Sequence, residues 1–125
     1  MAATNNDVVA EILGNSKIIA VVGLSDNPSR DSHRVSRYLQ RQGYRIIPVN
    51  PMVDEVLGEK SYPDLRSVPG PIDLVDIFRR SQLVAPVVDE AIATGVKYIW
   101  MQDGVTNHKA AQRARAAGLD VVMNN

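Results

Sequence analysis

Four short stretches hold the side chains best suited to gripping an anionic ligand. The first is Val21-Val22-Gly23-Leu24-Ser25-Asp26-Asn27-Pro28-Ser29-Arg30. Gly23 lets the backbone approach a ligand closely. Ser25, Ser29 and Ser32 add hydroxyl donors, and Arg30 adds a guanidinium that can take two phosphate oxygens at once. A helix starting just beyond would aim its first N–H groups and its dipole at the same turn. The second stretch ends in Val49-Asn50-Pro51. The third is Asp76-Ile77-Phe78-Arg79-Arg80, where Phe78 can stack on a base and Arg79 can meet a phosphate. The fourth is Trp100-Met101-Gln102, whose Gln102 offers a carboxamide. Plainer readings stand beside each. One Gly after a strand can be only a turn. Asn-Pro is a turn signal in its own right. Phe78 can be core, followed by a solvated arginine pair.

The elements that must position these groups follow from patterning. Ile18 to Val22 is a short apolar run bounded by polar residues and Gly, the signature of a strand buried on both faces. A helix is expected from about Ser32 to Gln42, striped by Val35, Tyr38 and Leu39. Its Arg34, Arg37 and Arg41 read as a solvated face, with Arg34 near the proposed ligand. Tyr44 to Asn50 is the second strand, and Pro48 suits a strand end or an edge because it has no N–H for a ladder. Residues 52 to 71 are turn-rich, a crossover without a long helix. Within it, residues 53 to 57 form a short helix or strand, and residues 64 to 68 a single helical turn. Leu57, Tyr62, Leu65 and Val68 should cover one sheet face. Ile72 to Phe78 is the third main strand.

A helix from Val84 to Thr94 follows, with Pro86 in its first turn, where a missing N–H costs nothing. Residues 96 to 101 form a strand, and residues 105 to 117 an Ala-rich helix capped by Thr106 or Asn107. Residues 119 to 123 form a last strand. A leading helix over residues 4 to 14, capped by Thr4 or Asn6, precedes all of this. Strands alternating with helices define an α/β fold. The expected architecture is a Rossmann-like, doubly wound, three-layer fold with a mostly parallel five-stranded sheet. Its order is 3-2-1-4-5 or 2-1-3-4-5, and residues 53 to 57 can add a sixth strand.

Composition narrows the function classes. The 125 residues suit a single domain, 1–125. Charge balances at 14 basic against 14 acidic residues, so nothing draws the protein to nucleic acid or an anionic membrane. No apolar run reaches the roughly 20 residues of a membrane span. The N-terminus has no secretory pattern, and a cytoplasmic location is expected. Cysteine is absent, which removes thiolate catalysis and Cys-based zinc. His108 has no carboxylate or second His at a fixed spacing and reads as a surface residue. Asn50 stands where dinucleotide-binding folds place the acid that grips the NAD ribose. Gly-Leu-Ser-Asp-Asn-Pro also lacks the three-glycine fingerprint. Both weaken an NAD reading.

The combination Val-Val-Gly-Leu-Ser-Asp-Asn-Pro-Ser-Arg, Ile-Pro-Val-Asn-Pro, Asp-Ile-Phe-Arg-Arg and Trp-Met-Gln resembles the small bacterial CoA-binding proteins of the YccU type. These are stand-alone relatives of the CoA-binding domain in the succinyl-CoA synthetase alpha subunit. The resemblance runs from about Val8 to Asn124. It implies a Rossmann-like fold with coenzyme A along the carboxyl ends of the strands. It places Gly23, Leu24, Ser25 and Asn27 at the diphosphate turn, with Arg30 and Ser32 beside it. Asn50 and Pro51 would flank the adenosine part. Phe78 and Arg79 would form the opposite lip, with Trp100 and Gln102 near the pantetheine exit. Family members usually continue with a Cys and a basic tail after the last strand, and Asp103 departs from their pattern.

The leading expectation is a module that binds CoA or an acyl-CoA without chemistry of its own. The competing enzyme readings are an NAD(P)-dependent oxidoreductase and a subunit of an acyl-CoA ligase. A homo-oligomer or a partner enzyme is compatible with either.

Overall fold

The computed structural model describes residues 5–123. After helix α1 (Asn5–Gly14) come strand β1 (Ile18–Val22), helix α2 (Asp31–Arg41) and strand β2 (Arg45–Val49). Two short strands follow, β3 (Glu55–Val56) and β4 (Glu59–Lys60), and then β5 (Leu74–Ile77). A single 3-10 turn (Ser81–Leu83) leads into α3 (Val84–Thr94), β6 (Tyr98–Met101), α4 (His108–Ala116) and β7 (Asp120–Val122). The main sheet has five strands in the order β2-β1-β5-β6-β7, all parallel. This is the 2-1-3-4-5 alternative. The chain belongs to the Rossmann-like α/β architectures.

Strand alternation splits the interior into two layers. Ala20, Val22, Val75, Ile77, Ile99 and Met101 pack under α3 and α4, against Val84, Val88, Ala91, Ala110 and Ala114. Ile19, Val21, Ile46 and Leu74 face the other way, with Ile12 of α1 and Leu39 of α2. Every β1 side chain after Ile18 is buried, because a central parallel strand has helices over both faces. The small alanines of α4 let it sit close to the sheet. As the 3.6-residue period requires, Arg34, Arg37 and Arg41 point outward and are exposed.

β2 is one of the two edge strands, and its proline tests the edge argument. The Asn50 N–H points outward and donates to the Tyr62 carbonyl at 2.8 Å. Pro48 lies two residues earlier and so faces the same side, where β1 makes no demand on its missing donor. Its carbonyl still accepts from the Tyr62 N–H at 3.0 Å.

The crossover differs from expectation. Residues 53 to 57 do not extend the main sheet. β3 and β4 pair with each other as a separate antiparallel hairpin. The crossover side chains also divide between layers. Leu65 and Val68 join the α3/α4 side, whereas Val56 and Leu57 join the α1/α2 side. Wrapping the β2 edge lets one segment reach both faces. Residues 64 to 68 form a turn in which the Ser67 N–H donates to Asp64 Oδ1 at 2.9 Å. α4 is shorter than the 105–117 reading, because Asn107 is its cap and accepts from the Ala110 N–H. Of the two expected caps, Thr4 lies outside the described residues, and Asn6 falls inside α1 instead of at its cap.

One carboxylate fixes the start of the central strands. Asp73 Oδ2 accepts from the N–H groups of Lys17 and Ile18, each at 2.9 Å. These two donors lie beyond the reach of the ladder, since β5 begins only at Leu74. Replacing Asp73 by Ala should cost about 2 kcal/mol, the usual loss for a charge-assisted hydrogen-bond pair at a partly exposed site. Urea denaturation checks it. A loss under about 0.5 kcal/mol would mean that water replaces the carboxylate.

Candidate functional site

β1 is the point where the chain reverses its course across the sheet. From β1 it moves through α2 to β2 on one side, then crosses to β5 on the other. The loops after β1 and β5 therefore part in opposite directions and leave a crevice at their carboxyl ends. Open α/β sheets bind ligands at such a switch point. Here a cleft of about 940 Å³ occupies it.

One wall is the turn after β1 and the start of α2. Gly23 has φ +87°, a left-handed conformation that favours glycine. A Cβ on Gly23 would collide with the backbone carbonyl oxygen of Phe78, so the strand ends touch because no side chain intervenes. The loop then braces itself. The Ser25 N–H donates to Ser32 Oγ, and the Asn27 N–H donates to Ser25 Oγ, both at 3.0 Å. Accepting these bonds leaves each hydroxyl its own hydrogen to donate. Arg30, at the cap of α2, gives no side-chain acceptor to the first helical N–H groups. The Arg30 carbonyl takes the N–H groups of His33 and Arg34. The N–H groups of Asp31 and Ser32 are thus the helix-end donors turned toward the cleft.

The opposite wall is the end of β5. Phe78 packs against the α1/α2 layer and also lines the cleft, and Arg79 and Arg80 follow it. The Arg79 Nε is buried and has no hydrogen-bond partner among the described residues. Arg34 pairs with Asp31. Arg30, Arg79 and Arg80 make no ion pair within the described residues, so three guanidiniums around the cleft stay available to an anion.

The floor continues to the end of β6, where Gln102, Asp103, Gly104 and Val105 complete the lining. Gln102 is buried, and its Nε2 donates to Asp76 Oδ1 at 2.5 Å. Asp76 is wholly inaccessible to solvent, and its Oδ2 has no partner. Burial raises its pKa from 3.8 to about 7, against the smaller lowering effect of the Gln102 hydrogen bond. Patterning could have flagged Asp76, since an acid within Leu74-Val75-Asp76-Ile77 interrupts a strand buried on both faces.

Of the residues singled out from sequence, Gly23, Ser25, Arg30, Ser32, Phe78, Arg79 and Gln102 line this one cleft. Four others do not. The Leu24 side chain is fully buried in the α1/α2 layer. The Asn27 Oδ1 accepts from both the N–H and the hydroxyl of Ser29, so it shapes the turn. Asn50 uses its carboxamide internally: Nδ2 donates to the Leu24 carbonyl at 3.0 Å, and Oδ1 accepts from the Met52 N–H at 2.9 Å. Pro51 is exposed beside it. Trp100 is half-buried in the α1/α2 layer, away from the lining. His108 is exposed.

Fold and cleft together define a parallel α/β domain with an arginine-lined cleft at its switch point. Residues 17–125 match the model of the CoA binding domain family. The chain belongs to that family. It is 47% identical over 116 residues to the uncharacterized protein YneT of Bacillus subtilis, covering 93% of this chain and 86% of that protein. A hypothetical protein from Pyrococcus horikoshii OT3 superposes with a TM-score of 0.93 and 41% identity, over 99% of this chain and 87% of that one. The alpha subunit of the ADP-forming acetate–CoA ligase II of Pyrococcus furiosus is 34% identical over 84 residues. That alignment takes in 66% of this chain and only 18% of the subunit. No helix among the described residues is long and apolar enough to cross a membrane.

Proposed function

We propose that the protein binds coenzyme A or an acyl-CoA in the switch-point cleft and performs no chemistry on it. One observation carries this reading: Arg79, with a buried and unpartnered Nε, and Arg80 face Arg30 and the uncapped start of α2 across the cleft, and none of the three makes an ion pair among the described residues. That arrangement suits a ligand with several phosphate charges close together. Coenzyme A carries a diphosphate and a 3′-phosphate on one half, and membership of the CoA binding domain family favours it among such ligands.

The lining also explains why binding alone is proposed. No imidazole or lysine lines the cleft. The hydroxyls of Ser25 and Ser32 accept from backbone N–H groups and have no imidazole or lysine beside them to take their protons. The similarity to a ligase alpha subunit favours one second reading, a domain that presents CoA to a partner chain holding the catalytic groups. NAD fits less well, because the Asn50 carboxamide is consumed by Leu24 and Met52 and no acid stands there to hold ribose hydroxyls.

Isothermal titration with CoA, and with NAD as the comparison, tests the proposal. Micromolar CoA binding, roughly −8 kcal/mol, is expected, with none for NAD. Arg79→Ala should weaken CoA more than tenfold, since it removes a partly buried, charge-assisted contact worth about 2 kcal/mol. Failure of the unaltered protein to bind CoA would sink the proposal. A second reading as ligase partner predicts co-purification of a larger chain.

A further inference from the structure

The cleft is electrically lopsided, and a carboxylate outside its lining explains how the uncharged end is organised. At the β1 and β5 end stand Arg30, Arg79 and Arg80 without ion pairs, and Arg34 paired with Asp31. At the β6 end stand Gln102, Gly104 and Val105, together with the acid Asp103 and no cation. Coenzyme A has the same asymmetry, with its phosphates on the nucleotide half and neutral amides along the pantetheine arm. A phosphate beside Asp103 would be repelled, so the arm is the part that runs over β6.

Gln102 is the buried polar side chain of that floor, and its orientation is not free. An ionised carboxylate only accepts hydrogen bonds, so Asp76 selects the NH₂ end of the carboxamide. The structure has this arrangement, with Nε2 donating to Asp76 Oδ1. The carboxamide oxygen is then the end turned away from Asp76.

We infer that Asp76 is a positioning residue, holding the Gln102 carboxamide so that its oxygen accepts an amide N–H of the pantetheine arm. This rests on the CoA reading of the cleft. It explains why a carboxylate persists among Leu74, Val75 and Ile77, where an apolar residue would pack without a desolvation cost. Protonation releases the hold, because a carboxyl O–H can donate to the Gln102 oxygen and let the amide turn. Asp76 carries a pKa of about 7, so this happens near neutrality.

The groups around Asp76 are few. β1 places Val21 beside it, and β6 places Trp100 there, with Gln102 two residues on. From α2 the buried polar side chains are Ser32, His33 and Ser36, while Asp31, Arg34, Arg37 and Arg41 are exposed. From α1 the buried side chain is Ile12, while Asp7 and Glu11 are exposed. Among the described residues His33 is thus the other buried titratable group on this side of the sheet, with Tyr44 and Tyr98 half-buried in the same layer.

The test compares CoA with adenosine 3′,5′-bisphosphate, which keeps nucleotide phosphates but lacks the pantetheine arm. Asp76→Leu and Gln102→Leu should each weaken CoA about tenfold, the loss of one hydrogen bond. Both should hold adenosine 3′,5′-bisphosphate within about twofold, which also shows that the cleft is intact. Asp76→Asn should bind CoA at about pH 8 no better than the unaltered protein does at about pH 6, because its NH₂, like a carboxyl O–H, can donate to the Gln102 oxygen and let the amide turn. CoA affinity of the unaltered protein should fall as pH drops from about 8 to about 6, and Asp76→Asn should flatten that profile. Three outcomes overturn the inference. The Leu variants could leave CoA unchanged, they could weaken both ligands equally, or the full pH dependence could survive in Asp76→Asn. If the unaltered protein binds neither ligand, the CoA reading itself has failed, and the inference with it.

Discussion

Gly23→Ala should cost the folded protein about 3 kcal/mol or more, and Gly43→Ala only about 1 kcal/mol. Both glycines are left-handed, with φ of +87° and +98°. An alanine incurs a similar backbone penalty at either position, of about 1 to 2 kcal/mol. They differ in what a methyl group would meet. Around Gly43 nothing lies within 4 Å. At Gly23 the new Cβ would overlap the Phe78 carbonyl oxygen, and neither side can yield cheaply. The Phe78 N–H donates to the Val22 carbonyl at 2.9 Å, and the Gly23 N–H donates to the Val49 carbonyl at 2.9 Å. Relieving the overlap means parting β1 from β5 or from β2 at the floor of the cleft. Gly23→Val should be worse, so its loss of CoA binding would report a damaged fold. Chemical denaturation of the two alanine variants decides the matter. Equal losses would show that the close approach of Gly23 to Phe78 carries no weight.

That junction also shows why part of the site is legible in the amino-acid sequence. A parallel sheet needs strands that are apolar on both faces, and Ile18 to Val22 announces one. A Gly, several hydroxyls and an arginine directly after it then fall at a strand's carboxyl end. Phe78 and Arg79 fall at another for the same reason. What patterning cannot supply is the order of the strands. Both 3-2-1-4-5 and 2-1-3-4-5 fit the alternation, and only the second sets β1 beside β5 with Gly23 against Phe78.

The residues set apart from the cleft are withheld from it for local reasons. Leu24, Asn27 and Asn50 lie in the right loops, but neighbouring backbone groups claim Asn27 and Asn50 and the core claims Leu24. Such claims depend on loop paths that no periodicity encodes. Residues 53 to 57 read as a short helix or strand because a two-residue hairpin leaves almost no pattern. Asp76 is visible in the sequence, but its meaning depends on Gln102, which is 26 residues away and reaches it only because β5 and β6 pair in this register.

Asp76→Asn should raise stability at pH 8 and not at pH 5. The folded protein holds the Asp76 proton with a pKa of about 7, against 3.8 for the free side chain. Below pH 3.8 both folded and unfolded chains keep the proton, and the group has no effect. Between about 4 and 7 only the folded chain keeps it, so its unfolded state binds fewer protons and stability falls as pH rises. Above about pH 7 both are ionised, and the full penalty of a buried charge remains, on the order of 4 kcal/mol. Asparagine removes that penalty while its oxygen still accepts from Gln102. It introduces a buried NH₂ group near the unpartnered Oδ2 position, at a cost of about 1 to 3 kcal/mol. The net gain at pH 8 is then about 2 kcal/mol, a rise of several degrees in Tm. At pH 5 the folded acid is neutral but the unfolded one is ionised, so about 1.6 kcal/mol of the penalty is present. The cost of the buried NH₂ offsets it, and the variant should melt close to the unaltered protein. Other carboxylates contribute equally to both proteins and cancel in the difference. Thermal unfolding of the pair at pH 5 and pH 8 settles it. A difference of the same size and sign at both values would mean that Asp76 does not titrate between them.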